Sequence, residues 1–368
     1  MNSDMNGGAE RPFGRFFLPG PTEVRPEVLA AQTRAMIGHR GPGIQTLMGE
    51  LQEGLKRVFL TDRPVFVSSS SATGLMEAAI LNGAAHKVLA VVNGAFSGRF
   101  ADIAAACGRE VDELVVPWGD VVDPDVVRAR LAAGGYDAVT VVHSETSTGA
   151  LTDLAAIGEV VADYPGVVLL VDSVTGVGGA EMRADAWGLD FVLTGSQKAL
   201  ALPPGLSFGV ASEAMMRRSG ELTGKGYYFD LTTFQKNIEK LQTPTTPGLS
   251  TLYSLQEQLR FIDSETMEGR WTRHQAMAER TWEWVDGLAD RGFSVMAPEG
   301  SRSPTVTAVK LPEGITGPSV VAGMRDRGWV IGGGYGKLKE TTFRIGHMGD
   351  HTPAELEELL AVLTEVVA

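Results

Sequence analysis

Between Pro64 and Val210, short apolar runs alternate with amphipathic stretches, and no other feature limits the possible folds as tightly. Runs of Val and Leu with almost no polar interruption are what strands buried on both faces require. Helical crossovers between such strands build a parallel sheet. The runs fall at Val65–Val67, Val88–Val92, Glu113–Val116, Ala138–His143, Val167–Val171, Phe191–Thr194 and Ser207–Val210. Helical spacing fills the gaps at Gly74–Asn82, Arg99–Cys107, Pro124–Ala133 and Leu154–Tyr164, with a short piece at Arg183–Trp187. The pattern predicts an α/β fold whose large domain holds a mostly parallel seven-stranded sheet between helices.

The segment Thr243-Pro-Thr-Thr-Pro-Gly248 is compatible with neither helix nor central strand and marks a junction or an ordered loop. Beyond it come one long helical pattern from about Leu252 to Arg291, strands near Thr305–Leu311 and Thr342–Ile345, and helices near Pro318–Arg327 and Pro353–Val367. With 368 residues the chain exceeds a single core. The division expected is an N-terminal segment over 1–18, a large cofactor-binding domain over 19–252 and a small C-terminal α+β domain over 253–368.

A net charge of −13 without a basic stripe argues against nucleic acid as a partner. No apolar run is long enough to span a bilayer, and Met1–Glu10 lacks the basic start and apolar centre of a signal peptide, so a cytoplasmic chain is expected. Cys107, the single cysteine, rules out internal disulfides and multi-cysteine metal sites, and its pattern places it in a helix as a core residue.

In open α/β sheets ligands bind outside the carboxyl ends of the strands. Phe191-Val-Leu-Thr-Gly-Ser-Gln-Lys-Ala-Leu200 puts Lys198 there among apolar neighbours, where lost hydration favours the neutral, nucleophilic amine. Asp172 ends an almost wholly apolar strand and needs a cation or donor opposite it. Ser71, Ala72 and Thr73 stand at a helix start, where free N–H groups, hydroxyls and the helix dipole suit a phosphate. Phe96 stands among glycines at another helix start, and Ser144-Glu-Thr-Ser-Thr-Gly149 adds a hydroxyl cluster. Each feature alone has an ordinary reading as a cap or core residue. Together they supply the four things pyridoxal phosphate requires: an amine for its aldehyde, an acid for its ring nitrogen, a flat surface and a phosphate cup.

The chain resembles the class V (fold type I) pyridoxal phosphate-dependent aminotransferases, above all the alanine-glyoxylate or serine-pyruvate group. The resemblance runs from Leu18-Pro-Gly-Pro-Thr22 to Arg344-Ile-Gly-His-Met-Gly349. Its most specific pieces are Leu170-Val-Asp-Ser-Val174, Gly195-Ser-Gln-Lys-Ala-Leu200 and Ser71-Ala-Thr-Gly-Leu-Met-Glu-Ala78. It implies that Lys198 carries the cofactor as a Schiff base and that Asp172 pairs with the ring nitrogen. Phe96 and Val174 would face the two sides of the ring, while Thr146 and Gln197 hold its phenolic oxygen side. Ser71, Ala72 and Thr73 would hold the phosphate, although the family often has Gly at the place of Ala72 and Trp or Tyr at that of Phe96. Thr243 and Thr246, on the Pro-rich loop, would complete the site of a second subunit, which implies a homodimer. Arg344 would grip the substrate's α-carboxylate, with Gly20 beside it.

The expected reaction is therefore a ping-pong transamination between a small 2-amino acid, alanine or serine, and a 2-oxo acid, glyoxylate or pyruvate. His39 and Arg40 raise an alternative, because a similar pair contacts the substrate phosphate in phosphoserine aminotransferases, which use 2-oxoglutarate. A lyase of the same class is disfavoured because cysteine desulfurases need a mobile cysteine far down the chain, and Cys107 is not one. A non-enzymatic cofactor-binding protein is the remaining reading, with no DNA-binding segment to support it.

Overall fold

The computed structural model describes residues 12–368; the reading of Met1–Glu10 falls outside them. In chain order the strands are β1 (Phe16–Phe17), β2 (Val65–Ser68), β3 (Lys87–Val92), β4 (Glu110–Val115), β5 (Ala138–Val142), the hairpin pair β6 (Ser144–Glu145) and β7 (Ala150–Leu151), β8 (Val168–Asp172), β9 (Phe191–Gly195), β10 (Ser207–Ala211), β11 (Ser294–Val295), β12 (Thr307–Lys310), β13 (Val330–Gly333) and β14 (Thr342–Ile345). Seven of them form the large sheet in the order β2-β10-β9-β8-β5-β3-β4. Only β10 runs antiparallel to its neighbours. β5, β8 and β9 are buried along their whole length, as their unbroken apolar sequences require.

The sheet's carboxyl edge is set by register. Val142 pairs with Asp172, and Asp172 with Leu193, so β5 and β8 end at one level and β9 runs two residues beyond it to Gly195. Helices Ala72–Gly83 and Ala95–Ala106 start just past the ends of β2 and β3 and point their N-termini at the same level. Among the described residues no helix is long and apolar enough to cross a membrane.

A second sheet, β1-β13-β14-β12-β11, packs with helices Met267–Asp286, Gly317–Arg325 and Pro353–Val366 around a separate core that includes Phe343, Trp329 and Leu359. Phe16 and Phe17 of the N-terminal segment are its edge strand, parallel to β13. The long helical pattern from Leu252 to Arg291 is two helices, Leu249–Glu265 and Met267–Asp286. Thr266, at φ 64°, breaks them and caps the second by accepting from Gly269 N. The first of the two buries Leu252, Leu255, Leu259 and Ile262 in the core of the large sheet.

Two further expectations are corrected. Arg183–Trp187 forms turns instead of a helix; the Trp187 ring meets His143 edge-on at 6.4 Å and its carbonyl lies against Gly158. Cys107 is the half-buried C-cap of helix Ala95–Ala106, not a core residue, and burial pushes its thiol pKa up.

Candidate active site

The strand ends and helix starts enclose a cleft of about 230 Å³. Its wall takes Gly20, Ser71, Ala72, Thr73, Phe96, Thr146, Asp172, Val174, Gln197 and Lys198, ten of the positions read from sequence. Ser144, from the hydroxyl cluster, lines it too, and sequence reading had given no role to Met76, Arg99, Thr175 and Tyr335, which complete the wall.

Lys198 follows β9 and is only 9% exposed. Its Nζ donates to the Pro19 carbonyl at 2.5 Å and lies 6.0 Å from the centre of the Phe96 ring. Thr22 pins the lysine's own backbone, its Oγ1 donating to the Lys198 carbonyl at 3.0 Å. Gly20, at φ +95°, passes so close that a Cβ there would overlap the Lys198 side chain, so this position needs glycine on both counts. Burial, reinforced by the Arg344 and Arg99 guanidiniums, pulls the amine pKa down to about 8 against the opposing pull of Asp172.

Asp172 ends β8, and its Oδ1 accepts from Val174 N at 2.8 Å. That one bond does not compensate a buried charge. Burial, with the nearby Glu145 carboxylate, pushes its pKa up to about 7 despite Lys198 and Arg99. A carboxylate this poorly compensated, aimed into a cleft, is a receptor for a cation.

Ser71 is the N-cap of helix Ala72–Gly83 but makes no side-chain capping bond, so its hydroxyl and the first N–H groups of the helix stay available to a ligand. Glu145 sets the opposite wall. Fully buried, it accepts from the N–H groups of Phe96 and Ser97 and from the Ser147 hydroxyl, locking the helix that carries Phe96. The next residue, Thr146, shares a short hydroxyl contact with Thr175 and gives its carbonyl to Arg344 Nη1 at 3.0 Å. Arg344, on β14 of the second sheet, also donates through Nε to Gly333 O at 2.8 Å. Burial draws its pKa down to about 10, so it stays charged at neutral pH. Among the described residues no carboxylate pairs with it.

Four expected residues lie away from this chain's cleft. Arg40 is exposed, its Nη2 reaching the Pro244 carbonyl at 3.2 Å, and His39 precedes it on the same surface. Thr243 is buried within its own loop, donating to Thr245 O, and Thr246 is exposed. That loop joins the rest of the site through Gly248 N, which donates to Ser69 Oγ at 3.1 Å, just upstream of Ser71.

The donor set fits pyridoxal phosphate: an amine that is partly neutral, an undercompensated acid, an aromatic face and an open helix start. A pH dependence follows. Only the neutral amine attacks an aldehyde, so capture of the cofactor by cofactor-free protein should accelerate with pH through about 8 and level off above it. Removing a neighbouring cation relieves the ammonium, so Arg344→Met should move that midpoint to higher pH. Stopped-flow absorbance across a pH series measures both.

Residues 29–334 match the profile of the family described as aminotransferase class-V. An uncharacterized aminotransferase of Methanocaldococcus jannaschii is 41% identical over 90% of this chain and 87% of its own length. A serine–glyoxylate aminotransferase of Methylorubrum extorquens is 33% identical over 91% of this chain and 86% of its own. Among solved structures, an alanine–glyoxylate aminotransferase from Nostoc sp. superposes with a TM-score of 0.91 at 32% identity, covering 100% of this chain and 98% of that one.

Proposed function

The chain belongs to the class-V aminotransferases, and from that premise we propose that it moves an amino group between alanine or serine and glyoxylate, pyruvate being the other 2-oxo acid of the pair. Transamination with pyridoxal phosphate is the family's chemistry, and relatives named for serine with glyoxylate and alanine with glyoxylate support the substrates. One observation carries the reading. A buried amine and a buried carboxylate share one cleft, and Arg344, which has no acidic partner among the described residues, donates to the carbonyl of Thr146 in its wall.

When bound, pyridoxal phosphate supplies an aldehyde carbon and a ring that accepts the electron pair left when the substrate's Cα loses its proton. Ser71, the Ala72 N–H and Thr73 would hold its phosphate, and Phe96 and Val174 would flank its ring. Thr146 and Gln197 would hold the phenolic oxygen side. Asp172 would keep a proton on the ring nitrogen. Lys198 Nζ would act as the base that takes the proton from Cα and as the acid that gives it back. Arg344 fixes the α-carboxylate, which holds the Cα–H bond in reach of Lys198. Gly20 leaves the lysine room to swing.

We assign the cofactor-binding role to 19–252 and the substrate clamp to 253–368. Two copies of the chain would share their sites: Thr243 and Thr246 would complete the partner's phosphate cup, and His39 and Arg40 would add positive charge to the substrate pocket. We place the chain in the cytoplasm.

The test is to incubate purified holoenzyme with glyoxylate and single amino acids and to quantify glycine. Alanine and serine should yield it. No glycine from either, with rapid turnover of phosphoserine and 2-oxoglutarate, would overturn the substrate reading. Arg344→Lys keeps the charge but loses the fork. It should raise KM for amino acid and oxo acid alike by about tenfold or more, the effect of losing one charge-assisted hydrogen bond worth about 1.5 kcal/mol or more, with a smaller change in kcat.

A further inference from the structure

We propose that Tyr335 determines donor specificity by occupying Arg99, and so keeps amino donors with an acidic side chain out of the cleft; this rests on the small-donor reading above. Tyr335 lies in Gly332-Gly-Gly-Tyr-Gly336, just beyond β13, where the residues around it have no side chain to offer the cleft. Its hydroxyl accepts from Arg99 Nη2 at 3.0 Å. Its ring packs at 5.2 Å on Phe96 and lies 5.5 Å from the Arg344 guanidinium. The phenol thus stands between two guanidiniums.

Arg99 itself has no carboxylate partner among the described residues. Besides the phenol its contact is with the Phe96 ring, 4.9 Å away, one helical turn back. A half-buried guanidinium whose hydrogen-bond partner is a phenol is a carboxylate site kept filled. A substrate whose α-carboxylate is on Arg344 projects its side chain beside Tyr335. Small side chains leave the phenol in place. A second carboxylate would need the nitrogen that the phenol occupies.

Tyr335→Phe frees Arg99 while keeping the ring. Calorimetric titration of the pyridoxal phosphate-loaded enzyme with succinate and with propionate reads the effect without any turnover. The expected result is a rise of about tenfold or more in the succinate-to-propionate affinity ratio on Tyr335→Phe. Adding Arg99→Gln in the same chain should cancel the gain. The aspartate-to-alanine ratio of kcat/KM with glyoxylate should move in parallel. An unchanged affinity ratio in Tyr335→Phe, or a gain that survives Arg99→Gln, overturns the proposal. Wild type that turns over neither alanine nor serine contradicts the substrate reading instead, and the succinate titration still decides the role of Tyr335. Thermal melts of each variant identify loss of folding, and Tyr335→Leu, which also lacks the hydroxyl, must repeat the shift.

Discussion

Lys198→Ala should lower transaminase turnover by about 10⁴-fold, the upper range for removing a positioned proton-transfer group. The loss is this large because the proposed mechanism gives one nitrogen two duties: it would hold the cofactor covalently and it would carry the proton. Its surroundings serve both. The Pro19 carbonyl and the Thr22 hydroxyl aim it, and burial next to Arg344 and Arg99 brings its pKa down to about 8, within reach of neutral pH. No other lysine among the described residues lines the cleft. The phosphate cup and Asp172 remain in the variant, so cofactor should still bind but leave on gel filtration in denaturant, where wild type retains it after borohydride treatment. A small primary amine in the buffer should restore part of the rate, since the general base is what is missing. Full turnover in Lys198→Ala would remove the basis of the mechanism.

Asp172→Asn should cost about 10²–10³-fold in kcat while leaving KM for the amino donor within a few-fold, the size expected when one preorganised charge at a reacting centre is removed. Asparagine keeps the shape and can still accept from Val174 N, so the packing of β8 is preserved and the charge alone changes. That charge is poorly compensated in the protein itself. Burial and Glu145 push the carboxyl up to about 7. The ring nitrogen of bound pyridoxal phosphate, once protonated, would supply the missing cation, and Asp172 would in return hold the proton there. The sign for stability follows. Without cofactor, a carboxyl raised above its unfolded value binds more protons folded than unfolded between about 4 and 7, so this group's contribution falls as pH rises through that window. Asp172→Asn should flatten the slope, and bound cofactor should do the same in wild type. Steady-state kinetics and thermal melts between pH 5 and 8 read both effects.

Much of this was legible in the sequence because it is local. An unbroken apolar run names a buried strand, and the polar residues that follow it name positions at the sheet's carboxyl edge; Lys198, Asp172 and Ser71 were found in that way, and Phe96 as the one aromatic among glycines at a helix start. What escaped depends on distant contacts. Tyr335 reaches the cleft only because the second sheet docks beside Thr146, a contact made by Arg344 and invisible to any short window. Arg99 was within reach, since it lies one turn after Phe96 on the same helical face, but its partner was not. Glu145 was read as part of a hydroxyl cluster; only the fold reveals a carboxylate under a helix start. The break at Thr266 was hidden because its flanking residues continue an amphipathic pattern, and a backbone angle of 64° leaves no trace in hydrophobic spacing. His39, Arg40, Thr243 and Thr246 gather on one surface away from this chain's cleft, where their proposed role needs a second copy.

The central claim is that Lys198 bears the cofactor. Reduction of the holoenzyme with borohydride followed by peptide mapping tests it directly: the pyridoxyl mass should appear on Lys198 and vanish from that peptide when alanine or serine is added before the reductant. A pyridoxyl group on another lysine, or none on any, would contradict the account.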